Sequence, residues 1–177
     1  WVIDIGNLSA RLDYGVMPTC EFAGAITPYD QTGTITHPSG AKGVFTVRGV
    51  AHTRSKVWRW CLGKWDNGMS KGALYPRYFG APSLKTKTLT GPGLTGLQWN
   101  YSYATGTASW QDCTSNCGGT KSVTVAGPEG RNTRHTFGTV WQANDGKLLK
   151  VEEGLDLATN TALRTTEYSY ALWSDAD

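Results

Sequence analysis

The chain has 177 residues, enough for one domain with a hydrophobic core, and its net charge of +3 is spread without a basic block. This distribution argues against nucleic-acid binding, which usually leaves a clustered basic footprint, and no apolar run is long enough to predict membrane insertion by a helix. Only 18% of residues are charged, while 22 glycines and eight tryptophans favour strands and turns over helices.

Hairpin patterns recur along the chain. Three stretches share a β-rich segment, a turn with proline and glycine, and a second β-rich segment: residues 34–47, 88–101 and 123–137. Proline fixes φ for such turns and glycine takes their left-handed position. Repeated hairpins that cannot bury a face alone are expected to stack into a continuous sheet. The spacing of the three turns is irregular, so chance similarity among hairpins is the alternative to a true repeat.

The C-terminal part continues the pattern. Residues 139–151 (TVWQANDGKLLKV) give the clearest hairpin, because Asn144, Asp145 and Gly146 tolerate positive φ. Residues 155–162 are the best helical candidate, but their Thr and Asn content makes it weak. Residues 164–173 alternate as a final strand would. The predicted fold class is all-β, an antiparallel sheet of repeated hairpins that is layered or curled, with a two-sheet β-sandwich as the alternative.

The four cysteines predict two disulfides and an oxidising compartment. Three pairings are possible, and we favour Cys113–Cys117, across a tight turn, together with Cys20–Cys61. Four free thiols in a cytosolic protein are one alternative. A zinc site is the other, although the CxxxC spacing is unusual and no histidine lies nearby.

An aromatic run at residues 57–78 (VWRWCLGKWDNGMSKGALYPRY) has two readings, a sugar-stacking platform or the inner face of a sheet. Trp58 and Trp60 share one face of a predicted strand, and Trp99, Tyr101 and Tyr103 repeat that spacing. We expect Trp58, Trp60, Trp99 and Tyr101 in the core. The following Gly/Lys/Pro-rich loop is the predicted contact surface, with these ligand-binding candidates: Trp65, Asp66, Asn67, Tyr75, Arg77 and Tyr78.

Residues 29–36 (YDQTGTIT) resemble the YD repeat, a Tyr-Asp pair followed by glycine and a strand. GPEGRNTRHTFG and NDGKLLKVEEG look like variants of the same unit. Together these stretches, residues 29–47 and 123–170, are similar to the RHS (rearrangement-hotspot) or YD-repeat proteins of bacteria; residues 51–117 do not match. The resemblance implies a secreted or cell-surface protein with long β-sheets that curl into a shell. Either the shell encloses a C-terminal toxin, whose chemistry would lie in another part of the parent protein, or the protein attaches to polysaccharide or cell-envelope glycan.

Residues 1–177 are accordingly predicted to be one all-β domain. The start at Trp1 without methionine suggests a mature or excised fragment whose leader, if any, was removed. The resemblance implies that the chain is a fragment of a larger repeat protein, whose remaining chain would be a partner. The predicted function is a non-enzymatic structural and adhesive segment. A carbohydrate-binding module using exposed aromatic side chains is the second hypothesis.

An enzyme of unknown type is the third hypothesis. His37 near Ser39 lacks a third catalytic partner, and the repeat places glycine at the position of His37. Glu152 and Glu153 are adjacent and would point to opposite faces of a strand. No phosphate-binding loop or calcium motif is present. We therefore expect no catalytic residues, no metal and no cofactor.

Overall fold

The computed structural model describes residues 1–6, 30–58 and 76–171. These residues form one nine-stranded antiparallel sheet in which spatial order equals chain order. The strands are β1 (Val2–Asp4), β2 (Asp30–Thr36), β3 (Lys42–Thr53), β4 (Tyr78–Gly91), β5 (Leu94–Tyr103), β6 (Thr120–Ala126), β7 (Asn132–Gly138), β8 (Leu148–Glu153) and β9 (Arg164–Glu167). The all-β prediction is confirmed. Pro128–Gly130 is a 3-10 turn. The described part holds no helix long and apolar enough to span a bilayer.

The three predicted Pro/Gly turns each join two paired strands. His37 accepts a backbone bond from Gly40 and donates one to Ala41, closing the β2–β3 hairpin. Gly93, with φ of +75°, lies between β4 and β5, and Gly130, with φ of +73°, lies between β6 and β7. Glycine suits these positions because a Cβ disfavours positive φ.

The β7–β8 hairpin is shorter than predicted. β7 ends at Gly138 and β8 begins at Leu148, so residues 139–147 form a connection rather than strand. The prediction of a hairpin over residues 139–151 was therefore wrong for its first strand. The backbone leaves the ladder there because Trp141 donates its N–H to the Ser55 carbonyl at 2.9 Å, a contact distant in sequence.

Few described side chains are fully buried. Val57 and Leu155 are the buried apolar residues of this part, and Thr53, Ser55, Ser109 and Thr139 are buried polar ones. The prediction that the aromatic residues lie in the core was wrong for Trp58. Trp58 is 41% exposed while its neighbour Val57 is buried, and Trp99 and Tyr101 are half-buried. Trp60 lies outside the described residues. Within the described residues the strands form a single sheet, and no second layer packs on these rings.

Cys113 and Cys117 form the predicted disulfide. Cys20 and Cys61, predicted to pair with each other, lie outside the described residues. The weak helical candidate at residues 155–162 is a series of turns closed by an antiparallel bridge between Asp156 and Thr161. β9 is the predicted final strand, although the described ladder ends at Glu167.

Candidate functional site

Two of the six predicted ligand-binding residues are described. Arg77 stacks its guanidinium on the Trp110 ring at 4.1 Å from the centroid, and Tyr78 begins β4 opposite Thr53. Both are half-buried. The other four, Trp65, Asp66, Asn67 and Tyr75, lie outside the described residues. The proposed contact loop therefore stays a prediction, and what the structure shows is a packing contact between Arg77 and Trp110.

A short extended segment after β3 forms a junction beneath this contact. Residues 55–57 lie between residues 109–111 and 139–141 with parallel bridges on both sides. Val57 donates to the Ser109 carbonyl at 3.1 Å, and the hydroxyls of Ser55 and Thr139 meet at 2.9 Å. Buried hydroxyls are tolerated because they are paired. The junction thus joins the β3 end to the β5–β6 and β7–β8 connections.

The junction carries a cation–aromatic cluster. Arg54 donates through Nε to Asp145 at 2.6 Å, and its guanidinium lies over the rings of Phe79 at 4.3 Å and Trp141 at 5.0 Å. The Lys121 ammonium lies over the Phe79 ring at 5.5 Å from its centroid. Such contacts stabilise a cation that has lost part of its water.

The pKa values of two neighbouring side chains, His52 and Lys121, are lowered. Burial lowers the pKa of His52, and the nearby positive charge of Lys121 lowers it further. Burial also lowers the pKa of Lys121, opposed by the charge of Asp145. His52 stacks on Phe79 at 5.4 Å between ring centroids. Because Asp145 already pairs with Arg54, the cluster's evident role is to fix the junction.

A second candidate site is an aromatic strip on β5. Trp99, Tyr101 and Tyr103 alternate along the strand and so share one face. Lys87, directly opposite Trp99 on β4, places its ammonium 3.9 Å from the centre of the Trp99 ring. The pKa values of Tyr101 and Tyr103 are raised, mainly by burial. All three rings keep part of their surface in solvent.

Beside the strip lies a groove of about 260 Å³ lined by residues of three adjacent strands: Arg48, Val50, Ser83, Lys85, Tyr101 and Tyr103. Asp30 binds both cations of the groove, Arg48 Nε at 2.7 Å and Lys85 Nζ at 2.6 Å. The hydrogen bond from Arg48, followed by that from Lys85, lowers the pKa of Asp30. The groove therefore has two tyrosine rings on one side and two cations held by Asp30 on the other strands.

The side chains considered under the enzyme hypothesis do not converge on one site. His37 Nδ1 and Ser39 Oγ are 2.6 Å apart, but Ser39 also donates its backbone N–H to the same nitrogen. The pair is exposed and local to the β2–β3 turn, where the Trp1 ring packs edge-on against His37 at 4.4 Å between ring centroids. Glu152 faces Arg134 and Lys150, while Glu153 faces Arg164, in agreement with their predicted opposite orientation. Across the described ranges no three His, Cys, Asp or Glu side chains are placed to hold a metal ion.

Sequence reasoning found the strip but missed the groove. The alternation of Trp99, Tyr101 and Tyr103 is visible in the sequence. The position of Lys85 beside Arg48, in contrast, depends on a register shift between β3 and β4. Thr46 pairs with Thr86, but the next residue, Val47, pairs with Leu84. A β-bulge of this kind reorients one strand and leaves no clear signal in a single sequence.

No family model matches this chain, and comparison with curated proteins and with solved structures finds no significant similarity.

Proposed function

We propose that this chain is a non-enzymatic structural and adhesive segment of a secreted or cell-surface bacterial protein of the RHS/YD-repeat type. The observation that carries the proposal is the strand order, β1 to β9 in sequence and antiparallel throughout. Tandem hairpin units produce this order, since each unit pairs with the one before it. A sheet built this way extends by adding further hairpins at its edges.

The aromatic face of the sheet supports the adhesive part of the proposal, and the disulfide supports the secreted part. One face carries the half-buried strip of Trp99, Tyr101 and Tyr103. Aromatic rings that remain in solvent are suited to contact another surface. The Cys113–Cys117 disulfide is compatible with an oxidising compartment.

The edge strand β9 offers the test of the structural part. Within the described residues β9 pairs on one side, with β8. Tyr168 donates its N–H to the Leu149 carbonyl at 2.9 Å, so alternation along the strand directs the Thr165 N–H outward. Proline at this position removes an outward donor and leaves the β8–β9 ladder intact.

Sedimentation velocity over a wide concentration range is the experiment. We expect the wild-type chain to self-associate through its open edge, the Thr165→Pro variant to remain smaller at each concentration, and Thr165→Ala to behave as wild type. A wild-type chain that stays monomeric, or a Thr165→Pro variant that associates equally, would contradict the structural proposal.

A carbohydrate-binding module is the second candidate function. The specific observation in its favour is the pairing of the aromatic strip with Lys85 and Lys87 on the neighbouring strand, which gives a stacking surface with polar groups beside it. Intrinsic tryptophan fluorescence, titrated with bacterial and plant polysaccharides alongside a collisional quencher, tests it. A module is expected to show glycan-dependent protection, and unchanged quenching with every glycan would exclude it.

A further inference from the structure

The groove between β3, β4 and β5 has an organised charge distribution. Asp30 at the start of β2 bridges Arg48 and Lys85 through its two oxygens. The three side chains are each 36–38% exposed, so they are reachable from solvent. One carboxylate between two cations leaves the groove with a net positive charge.

Hydrogen-bond donors outnumber acceptors in this groove. Arg48 uses Nε on Asp30, which leaves the N–H groups of its two terminal nitrogens directed elsewhere. Lys85 uses one of three N–H groups on Asp30. Across the described residues the Tyr101 hydroxyl has no hydrogen-bond partner, and burial alone accounts for its raised pKa. A ligand that satisfies these groups must be rich in acceptors.

The aromatic wall is held in position. Tyr103 donates its hydroxyl to the Leu84 carbonyl at 2.8 Å and packs edge-on against His52, with 6.2 Å between the ring centroids. Tyr101 lies two residues further along the same strand and shares its face. The wall therefore presents a fixed ring next to one whose hydroxyl is available, a suitable arrangement for a flat ring with polar substituents.

We infer that this groove binds a uronate unit of an acidic polysaccharide. The sugar ring stacks on Tyr101, and the carboxylate accepts hydrogen bonds from the terminal nitrogens of Arg48 and from Lys85. Arginine binds carboxylates with two parallel hydrogen bonds, which fixes the ligand's orientation. Asp30 holds both cations in place. The inference rests on the adhesive part of the proposed function and names its ligand class.

Single-stranded nucleic acid is the competing ligand, because it also combines stacking bases with negative charge. The observations favour the saccharide. Nucleic-acid grooves track the backbone with successive basic residues, whereas this groove holds a carboxylate between its two cations. The chain's net charge of +3 is also dispersed. The experiment therefore also measures binding of single-stranded DNA.

The experiment measures binding of the full chain by isothermal titration calorimetry to three probes. These are polygalacturonate, the same polymer with its carboxylates methyl-esterified, and a single-stranded DNA oligonucleotide. We expect polygalacturonate to bind at least about tenfold more tightly than its ester, because the charged hydrogen bonds are lost on esterification. The DNA is expected to bind more weakly than polygalacturonate.

Variants assign the binding to the groove. Arg48→Met and Tyr101→Ala are each expected to weaken polygalacturonate binding about tenfold, and Tyr101→Phe by only a few-fold because the stacking ring remains. Arg131→Met, at the exposed β6–β7 turn, and Tyr168→Ala, after β9, remove the same residue types elsewhere and are expected to bind as wild type. Circular dichroism verifies that each variant is folded.

Three results would overturn the inference: equal binding of polygalacturonate and its ester, unchanged binding in the folded Arg48→Met and Tyr101→Ala variants, or tighter DNA binding that depends on these two residues. If polygalacturonate binds the wild type and the groove variants with equal affinity, the adhesive function stands and the assignment to this groove fails. If no polysaccharide binds, the adhesive part of the proposed function fails with it, while the edge-association test still decides the structural part.

Discussion

Arg54 connects three parts of the molecule through one side chain. Its guanidinium binds the Asp145 carboxylate of the β7–β8 connection and covers the rings of Phe79 on β4 and Trp141. The ion pair is largely shielded, with side chains 23% and 18% exposed. Loss of the guanidinium leaves a shielded carboxylate without its partner, which costs more than loss of a surface ion pair.

The first prediction concerns this ion pair. Arg54→Ala is expected to lower the free energy of unfolding by about 2 kcal/mol. Arg164→Ala is the matched control, because the Arg164–Glu153 pair is 74% and 50% exposed at 3.6 Å, and its loss is expected to cost less than about 1 kcal/mol. Urea denaturation followed by tryptophan fluorescence measures both. Equal costs would contradict the role of Arg54.

The second prediction concerns pH. Burial lowers the pKa of His52 in the folded chain below its ordinary value of 6.5. Between these two pKa values, His52 is protonated in the unfolded chain but largely neutral in the folded chain. Stability is therefore full above about pH 6.5 and declines as the pH falls through that window. The lowered pKa of Asp30 acts in a separate window below 3.8.

Denaturation curves at a series of pH values check this prediction. His52→Gln is expected to flatten the decline of the unfolding free energy between about pH 7 and pH 5. His37→Gln, in the exposed β2–β3 turn, is the control and is expected to keep the wild-type slope. An unchanged slope in His52→Gln would show that another group causes the decline.

At the scale of elements, the junction of residues 55–57 with the two long connections sets the geometry of the sheet's end. Gly138 marks the point where β7 turns into it. A Cβ there would collide with the backbone oxygen and side chain of Asn144. Asn144 in turn accepts from the Val140 N–H through Oδ1 at 3.0 Å, so it cannot move without loss of that bond.

Gly138→Ala is therefore expected to cost more than about 2 kcal/mol, because a backbone atom must shift to admit the methyl group. Gly93→Ala is the comparison. That glycine has a φ of +75° with open space around it, so the substitution is expected to cost about 1 kcal/mol from backbone conformation alone. Thermal unfolding of the two variants distinguishes them, and a larger loss in Gly93→Ala would contradict the crowding at Gly138.

The disulfide ties a second connection to the same junction. Lys56 donates to the Cys113 carbonyl, and Ser109 Oγ donates to the Cys117 carbonyl at 2.6 Å. The Cys113→Ser/Cys117→Ser variant is expected to lose about 2 kcal/mol, since the cross-link closes a short loop in the unfolded chain. Chemical denaturation without reductant measures this loss and avoids reduction of other cysteines. A loss near zero would mean that the hydrogen bonds alone hold the loop.

The sequence predicts elements better than their junctions. The Pro/Gly turns at residues 38–40, 91–93 and 127–130 are local signals, and each one joins two paired strands. The junction depends on parallel bridges of Ser55 with Val140 and of Val57 with Trp110, residues far apart in sequence. Alternation found the shared face of Trp99 and Tyr101 but not its exposure, because exposure depends on whether another layer covers the sheet.

At the scale of the whole molecule, the described strands form an open antiparallel sheet with an aromatic, cationic face of half-buried side chains across β3 to β5. Its opposite face carries polar pairs, among them Arg134 with Glu152 and Lys150 with Glu152. Antiparallel sheets commonly keep one face solvated, and the aromatic face then needs either a partner or a further layer. This asymmetry is why the proposed adhesive role belongs to the face that holds the groove.

Oxidative footprinting read out by mass spectrometry tests the account most directly, because it reports the accessibility of each side chain separately. The account predicts that Trp99 and Tyr101 are oxidised readily in the free chain and become protected when a bound polysaccharide is present. Met and aromatic residues elsewhere serve as internal references for the reaction. If Trp99 and Tyr101 are protected in the free chain, another layer covers this face, and the open sheet with an adhesive surface is contradicted.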